Sequence, residues 1–246
     1  MKIDCIRENR LGDVLATCVR LRKLTWTVSY NIRGVENYIN RPIDRDMVVA
    51  ALAATSTTLT DLTLISSIQV VRGIYVEPEP MIGPAGSLRA LRNFASIKNL
   101  TVSWFMLMGQ DGSSPWALAD VLPRNLEHLV IYDQLIFNTP VGFKMDEFTV
   151  YGAIRDWLHN WRDATPRLKS FRITLWRIVK GTWTAKIRLE LKELCERVGV
   201  EHHQDEGFDA GDKGWTKPAG WEWQRNDGLH TLSQGNRQIS VVQNQP

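Results

Sequence analysis

Apolar residues recur along the chain in five short phrases that share one spacing. Each phrase has apolar residues at its first, fourth and sixth positions, and polar residues fill most of the places between. The phrases are LRKLTW from Leu21, LTDLTL from Leu59, IKNLTV from Ile97, LEHLVI from Leu126 and LKSFRI from Leu168. Because the last two apolar positions are two residues apart, each phrase predicts a strand with one buried face.

Four of the phrases follow a segment whose apolar residues are three or four positions apart, which predicts an amphipathic helix. These apolar positions are Leu11, Leu15 and Cys18; Met47, Ala51 and Leu52; Leu88, Leu91 and Phe94; and Phe148, Tyr151, Ile154, Leu158 and Trp161. Asp44 and Ser87 stand where helix N-caps are expected. A sixth unit has a helix that ends before Gly199, followed by a weaker strand at 200–203.

Helix and strand therefore alternate about six times in residues 1–204. Strands joined by helices run parallel, because each crossover returns the chain to the same edge of the sheet. A doubly wound sheet would need strands that are apolar on both faces, whereas these strands have one polar face. We predict an α/β fold in the form of an irregular solenoid, with a curved parallel sheet on the concave face and helices outside.

The phrases LTDLTL, IKNLTV and NLEHLVI resemble degenerate leucine-rich repeats of fungal F-box proteins. The resemblance is fullest in 87–109 and 121–133, and it implies the substrate-recognition repeat region of a ubiquitin ligase subunit. Ser67 and Gln134 stand where the family has an Asn or Cys after the strand. The family's F-box has no room before Leu21, so we expect a repeat-only relative or a chain without its beginning. A ligase adaptor is an expected partner only in the second case.

The polar face of the sheet is the predicted binding surface for a protein partner. If positions one, four and six of a phrase face the core, then positions three, five and seven face away from it. Thr at exposed strand positions is also mildly stabilising without any partner, whereas Tyr, Trp and Arg are frequent at interface hot spots. The candidate contact residues on this face are Thr63, Thr101, His128, Tyr132, Arg172, Thr174 and Trp176.

Two long connections, 31–42 and 72–86, follow the ends of predicted strands. Loops at this position lie on the rim beside the concave face and often carry recognition, although a tolerated surface insertion has the same appearance in a sequence. The second connection supplies the candidate rim residues Tyr75, Glu77, Glu79 and Met81.

The charge of the chain argues against several other partners. The 246 residues carry a formal net charge of +3, and no run of five or more like charges occurs. We therefore expect no nucleic acid and no membrane surface as partner. The first residues lack the apolar core of a signal peptide, and three widely spaced cysteines favour a reducing compartment, so we expect an intracellular protein, cytoplasmic or nuclear.

Three common catalytic or metal-binding motifs are absent from the sequence. It has no G-x-S-x-G elbow, C-x-x-C pair or H-E-x-x-H helix. His202 and His203 precede several acidic residues at a spacing that fits no zinc or calcium site, and a solvated strand end explains them better. We predict no catalytic residues, no metal and no cofactor, and no nucleophile stands at a spacing that pairs it with His128.

The segment 205–246 differs in composition from the repeats. It is rich in glycine and polar residues, and its only short apolar alternation is 239–242. We predict a largely disordered tail. Alternatively, Trp215, Trp221 and Trp223 form a partial cap on the last repeat, because the terminal unit of a solenoid exposes apolar surface.

Three functions remain open from the sequence. The first is a non-catalytic scaffold for protein–protein interaction, which the family resemblance also implies. The second is an α/β enzyme with its site at the carboxyl ends of the strands, using His128 or the pair His202 and His203. The third is a truncated paralogue that has kept no function.

Overall fold

Seven strands form one open parallel sheet whose spatial order is the same as the order along the chain. The computed structural model describes residues 1–4, 6–18, 20–31, 43–69, 86–109, 116–132, 147–176, 184–207, 222–226, 229–234 and 237–241. The strands of the sheet are β1 (Lys2–Asp4), β2 (Lys23–Asn31), β3 (Asp61–Gln69), β4 (Asn99–Ser103), β5 (His128–Tyr132), β6 (Ser170–Trp176) and β7 (Glu201–Gly207). The prediction of an α/β fold with a parallel sheet is confirmed.

Helical segments connect successive strands. The α-helices among the described residues are α1 (Glu8–Ala16), α2 (Arg45–Leu52), α3 (Trp104–Met108), α4 (Leu118–Val121), α5 (Glu147–His159), α6 (Trp161–Ala164) and α7 (Ala185–Val198). The segment predicted as a helix around Leu91 is a 3-10 helix, Arg89–Asn93, in which Leu91 is buried as expected.

Every phrase found in the sequence becomes a strand, and each of these strands begins at the third residue of its phrase. The weaker sixth strand is also present as β7, shifted by one residue to begin at Glu201. The spacing of apolar residues does not reveal β1, where Ile3 lies between two charged residues and pairs with Trp26 of β2. One buried residue in a three-residue strand leaves too short an alternation to detect.

The two faces of the sheet differ in burial as the alternation predicts. In β2 the side chains of Leu24, Trp26 and Val28 are buried, whereas Thr25 and Thr27 between them are half-buried. The buried positions join the helices in one hydrophobic cluster that extends along the whole sheet. Right-handed crossovers between strands in sequential order place every connecting helix on the same face. Among the described residues, the side chains on the other face are half-buried or exposed, apart from Ser103, and we call it the open face.

A main-chain ladder aligns the starts of the strands. The carbonyl of the second residue in a phrase accepts hydrogen bonds from the N–H groups of the second and third residues in the next phrase. Thus the Arg22 carbonyl binds the N–H groups of Thr60 and Asp61, at 2.8 and 3.0 Å. The carbonyls of Thr60, Lys98 and Glu127 repeat this arrangement toward the next strand. We call it the carbonyl ladder.

Side chains in the turns before the strands also link neighbouring units. Ser96 Oγ donates to the Thr57 carbonyl at 2.7 Å, and Asn125 Nδ2 donates to the Ala95 carbonyl at 2.7 Å. Thr58 Oγ1 donates in the same way to the Leu21 carbonyl. These bonds lie before the strands. They satisfy turn carbonyls that would otherwise need water.

The ends of α2 and α7 follow local sequence signals, whereas the predicted buried face of α2 needs one correction. The Asp44 side chain caps α2 by accepting from the N–H groups of Asp46 and Met47, as predicted. Thr184 caps α7 through the N–H of Ile187. The spacing predicts Met47 on the buried face of its helix, but this side chain is 41% exposed, because the neighbouring Val48 takes the core position.

Backbone strands are also present in the segment for which we predicted a largely disordered tail or a partial cap. These strands, β8 (Glu222–Asn226), β9 (Leu229–Gln234) and β10 (Arg237–Val241), form an antiparallel meander. The apolar alternation of β10, with Ile239 paired to Leu232, is the sequence signal for it. Trp215 and Trp221 lie outside the described residues, and Trp223 lies in β8.

Two glycines allow the backbone conformation at the end of α7 to be tested. Gly199 ends α7 in the left-handed region with φ 73°, whereas Gly152 lies inside α5 with open space where a methyl group would lie. We expect Gly199→Ala to lower the free energy of unfolding by about 1–2 kcal/mol. Gly152→Ala, the matched control, should raise it by about 0.5–1 kcal/mol because alanine loses less entropy in a helix. Urea denaturation measures both, and a Gly199→Ala protein as stable as the wild type would contradict the assignment of this helix end.

Candidate partner-binding face

The register of the sheet brings residues from different phrases into rows across the open face. The third residues of successive phrases pair with one another, from Lys23 with Asp61 to His128 with Ser170. Positions five form the adjacent row, which consists of Thr25, Thr63, Thr101, Val130 and Arg172. Side chains separated by about 40 residues in the chain thus lie one strand apart, about 4.8 Å.

Hydrogen bonds between side chains join members of the first row. Lys23 Nζ lies 3.6 Å from Asp61 Oδ1, and Asn99 Nδ2 donates to the same oxygen at 2.9 Å. Further along, His128 Nδ1 and Ser170 Oγ are 2.7 Å apart. One ion pair and two hydrogen-bonding contacts thus link side chains of neighbouring strands on the open face.

The second row changes from threonine to larger groups along the sheet. Thr63 and Thr101 are directly paired on β3 and β4, and both are half-buried. Arg172 on β6 is exposed, and Tyr132 at the end of β5 is half-buried. The candidate residues His128, Tyr132 and Arg172 therefore lie on two neighbouring strands of the open face.

One residue assigned to the open face by the spacing lies elsewhere. Ser103 occupies the seventh position of its phrase, yet it is fully buried. Its hydroxyl accepts from the N–H of Ser66 at 3.1 Å. The chain leaves the strand direction at this point to enter α3, all five residues of which are buried. The alternation of side chains therefore ends one residue early.

The remaining candidate residues are located only in part. Thr174 pairs in register with Tyr132 and with Asp205, and Trp176 pairs with Gly207. Both positions lie in the last three residues of β6, where the strand is still paired with β7. The rim candidates Tyr75, Glu77, Glu79 and Met81 lie outside the described residues, as does most of the first long connection.

Glu127, directly before β5, makes two contacts that the sequence pattern does not reveal. Lys98 Nζ lies 3.2 Å from one of its oxygens, and Lys169 Nζ forms a short contact with the other. Hydrogen bonds from Lys169 and Lys98 lower the pKa of Glu127 to about 2. The carboxylate thus joins three neighbouring units, and only the register of the sheet brings the two lysines to it.

His202 and His203 lie on opposite faces of β7. His203 is exposed, with Nε2 2.8 Å from Glu201. His202 is half-buried on the helix-covered side, where its ring lies 5.8 Å from that of Phe171. The interpretation of both residues as a solvated strand end therefore holds for His203 and is wrong for His202. Among the described residues, no group of three or more His, Cys, Asp or Glu side chains could hold a metal ion.

The cysteines differ in their surroundings. Cys195 of α7 is fully buried, and burial followed by the charge of Glu196 raises the pKa of its thiol to about 12. The thiol is therefore protonated and unreactive at neutral pH. Cys18, also predicted on an apolar face, is half-buried beside Thr17 and Met1.

Comparison with known proteins identifies no relative of this chain. No protein-family model, curated protein or solved structure matches it. In the described part of the chain, no helix is long and apolar enough to span a bilayer.

The half-buried imidazole of His202 gives the fold a dependence on pH. Burial of the ring, with a smaller contribution from His203 and Lys192, lowers the pKa of His202, while Glu196 opposes this effect. The unfolded chain therefore binds the proton more readily. Stability is fully present above the unfolded pKa of about 6.5 and is lost as the pH falls through the lower folded value.

We expect His202→Phe, which keeps the ring contact with Phe171, to reduce the loss of unfolding free energy between about pH 7.5 and pH 5. His203→Gln is the control, since that side chain is exposed and its contribution to the pKa of His202 is smaller than that of burial. Urea denaturation at several pH values measures the effect. Equal pH dependence in wild type and His202→Phe would contradict the role of burial.

Proposed function

We propose that this chain is a non-catalytic scaffold for protein–protein interaction, built as an irregular leucine-rich-repeat-like solenoid. One observation supports the proposal: the sheet runs in sequential order, with one face buried under helices and the other half-buried or exposed in the described part of the chain. A solenoid uses such a face as an extended binding surface, because the rows of side chains are held on a rigid backbone. The resemblance to F-box repeat proteins agrees with this use. The described thiols are free, which agrees with a cytoplasmic or nuclear location.

The binding residues of this proposal lie toward β5 and β6. His128, Tyr132 and Arg172 combine aromatic, imidazole and guanidinium groups on adjacent strands, and Trp176 follows Arg172 on the same strand. Tyr, Trp and Arg contribute most to binding at typical interfaces. Thr63 and Thr101 extend the surface toward β3, where they provide small hydroxyl groups. Tyr75, Glu77, Glu79 and Met81 of the second long connection are proposed as rim contacts.

A double substitution on the open face tests the scaffold. In affinity purification from the native cell, Arg172→Glu with Trp176→Ala should lose about tenfold or more of any specific partner, since each hot-spot truncation costs about 1–2 kcal/mol or more. The matched control is Arg197→Glu with Leu189→Ala, which changes an arginine and a large apolar residue at exposed positions of α7.

Quantitative mass spectrometry of the eluates compares the three proteins. A partner that the open-face variant keeps and the control variant loses would place binding on the helices and contradict the proposal. Ligase subunits in the wild-type eluate would extend it to substrate recognition, which additionally requires an F-box.

The contact between His128 and Ser170 favours a second candidate function, an enzyme that uses a serine nucleophile. A hydroxyl 2.7 Å from an imidazole nitrogen has the geometry of a nucleophile and its base. An acyl-transfer site also needs N–H donors for the oxyanion, and the strand N–H groups beside this pair are bound in the parallel ladder. The geometry therefore supports a structural hydrogen bond better than a catalytic dyad.

A fluorophosphonate probe separates the two functions. We expect no labelling of the wild-type protein beyond that of Ser170→Ala, because an unactivated serine reacts no faster than other hydroxyl groups. Labelling that depends on both Ser170 and His128 would establish the enzyme and overturn the scaffold as the sole function. Intact-mass spectrometry provides the measurement.

A further inference from the structure

The edge of the sheet at which the strands begin carries mainly basic side chains. The turn and first strand residues of the five phrases are 20–23, 57–61, 95–99, 124–128 and 166–170, and the carbonyl ladder aligns them along this edge. They contain seven Lys or Arg and two Asp or Glu, although the whole chain has a net charge of only +3. The basic residues are Arg20, Arg22, Lys23, Lys98, Arg124, Arg167 and Lys169. We call this surface the basic edge.

The two carboxylates of the edge neutralise only its lysines. Asp61 lies against Lys23, and Glu127 lies between Lys98 and Lys169. No arginine takes part in these ion pairs. The excess positive charge of the edge therefore resides on guanidinium groups.

The four arginines are available to a partner. Arg20, Arg22, Arg124 and Arg167 are all exposed, and their side chains form no hydrogen bond or ion pair within the part of the chain that the structure describes. They lie in the turns of the first, fourth and fifth phrases. Four exposed cations along one edge attract an anionic partner over a distance of about 8–10 Å at physiological salt.

Glu127 shows how this edge binds a carboxylate. Its side chain is 16% exposed and receives ammonium groups from the units on both sides. The distance between neighbouring strands, about 4.8 Å, allows cations of adjacent units to reach the same anion. Arginine side chains add a planar pair of donors that matches the two oxygens of a carboxylate.

The composition of the edge favours a polypeptide over a nucleic acid as its partner. Surfaces for single-stranded nucleic acids combine positive charge with aromatic rings on which the bases stack. None of the five segments of the basic edge contains Phe, Tyr or Trp. Recognition of a duplex requires a helix or ribbon that enters a groove, whereas this edge consists of short turns.

We propose that the basic edge binds an acidic segment of a partner protein. The inference rests on the proposed scaffold function and names the chemistry of one partner region. The four arginines lie before the strands and outside the rows of the candidate face, whereas the third residues of the phrases, such as Lys23 and His128, belong to both surfaces. A target held on the open face would thus be held a second time through its carboxylates.

The probe for this surface is a fluorescein-labelled decapeptide of alternating Glu and Ser, measured by fluorescence anisotropy. A Gln and Ser peptide of the same length and a decamer of single-stranded RNA are compared with it. The wild-type protein should bind the Glu peptide in preference to both. Its affinity should fall as sodium chloride is raised, because the contacts are exposed ion pairs.

The test variant carries Arg20→Glu, Arg22→Glu, Arg124→Glu and Arg167→Glu. The matched control carries Arg10→Glu, Arg155→Glu, Lys186→Glu and Arg197→Glu, four exposed residues of α1, α5 and α7. Each set of substitutions changes the formal charge from +3 to −5, so the two proteins have the same net charge and differ in where the charge lies.

The basic-edge variant should lose affinity for the Glu peptide by about tenfold or more relative to the control variant. Circular dichroism verifies the fold, and the four single Arg→Gln proteins replace the test variant if it does not fold; their losses should then point in the same direction. If both variants lost affinity equally, the net charge alone would explain the loss, and the proposal would be overturned. Tighter binding of the RNA, or no binding of the Glu peptide, would overturn it as well.

The open-face variant, Arg172→Glu with Trp176→Ala, separates this inference from the scaffold function. It should bind the Glu peptide within about threefold of the wild type, because only one charge near the edge is reversed. If it loses its cellular partner while the basic-edge variant keeps both partner and peptide, the basic edge fails and the scaffold stands. If neither variant loses a partner or peptide, both proposals fail.

Discussion

The carbonyl ladder at the starts of the strands is the contact on which the rest of the structure depends. One carbonyl per unit accepts two N–H groups of the next unit, at distances of 2.8 to 3.2 Å. A single helix and strand cannot bury its apolar face alone, so each unit must be stacked on another. The ladder fixes the register of that stacking. A slip of one residue would turn Trp26, Leu64 and Ile173 toward the open face.

The same register creates every surface of functional interest. Side chains on the open face form rows because the phrases are aligned, and the contact between His128 and Ser170 follows from that alignment. At the edge, alignment brings Lys98 and Lys169 to either side of Glu127. The helices vary in length between units, from the 3-10 helix at Arg89–Asn93 to the long α7, without disturbing these rows. Irregular spacing in the chain is therefore compatible with a regular sheet.

Much of the sheet could be predicted from the sequence, because burial of one face imposes a period of two on every strand. The phrases identified five strands, their parallel direction and the pairing of Thr63 with Thr101. The failures have local physical causes. β1 is too short to show a period, and Ser103 turns inward because the chain bends into α3. Val48 occupies the core position predicted for Met47, since helical spacing alone does not distinguish adjacent apolar residues.

The amino-acid sequence by itself determined which residues form strands and which of their faces is buried, because both follow from the spacing of apolar side chains within a few residues. The tertiary structure alone decided which polar groups become neighbours. Arg20, Arg124 and Arg167 lie far apart in a chain with no run of five or more like charges. They share an edge only because parallel strands of one register begin at the same level, and the electrostatic interaction between them depends on distance in space.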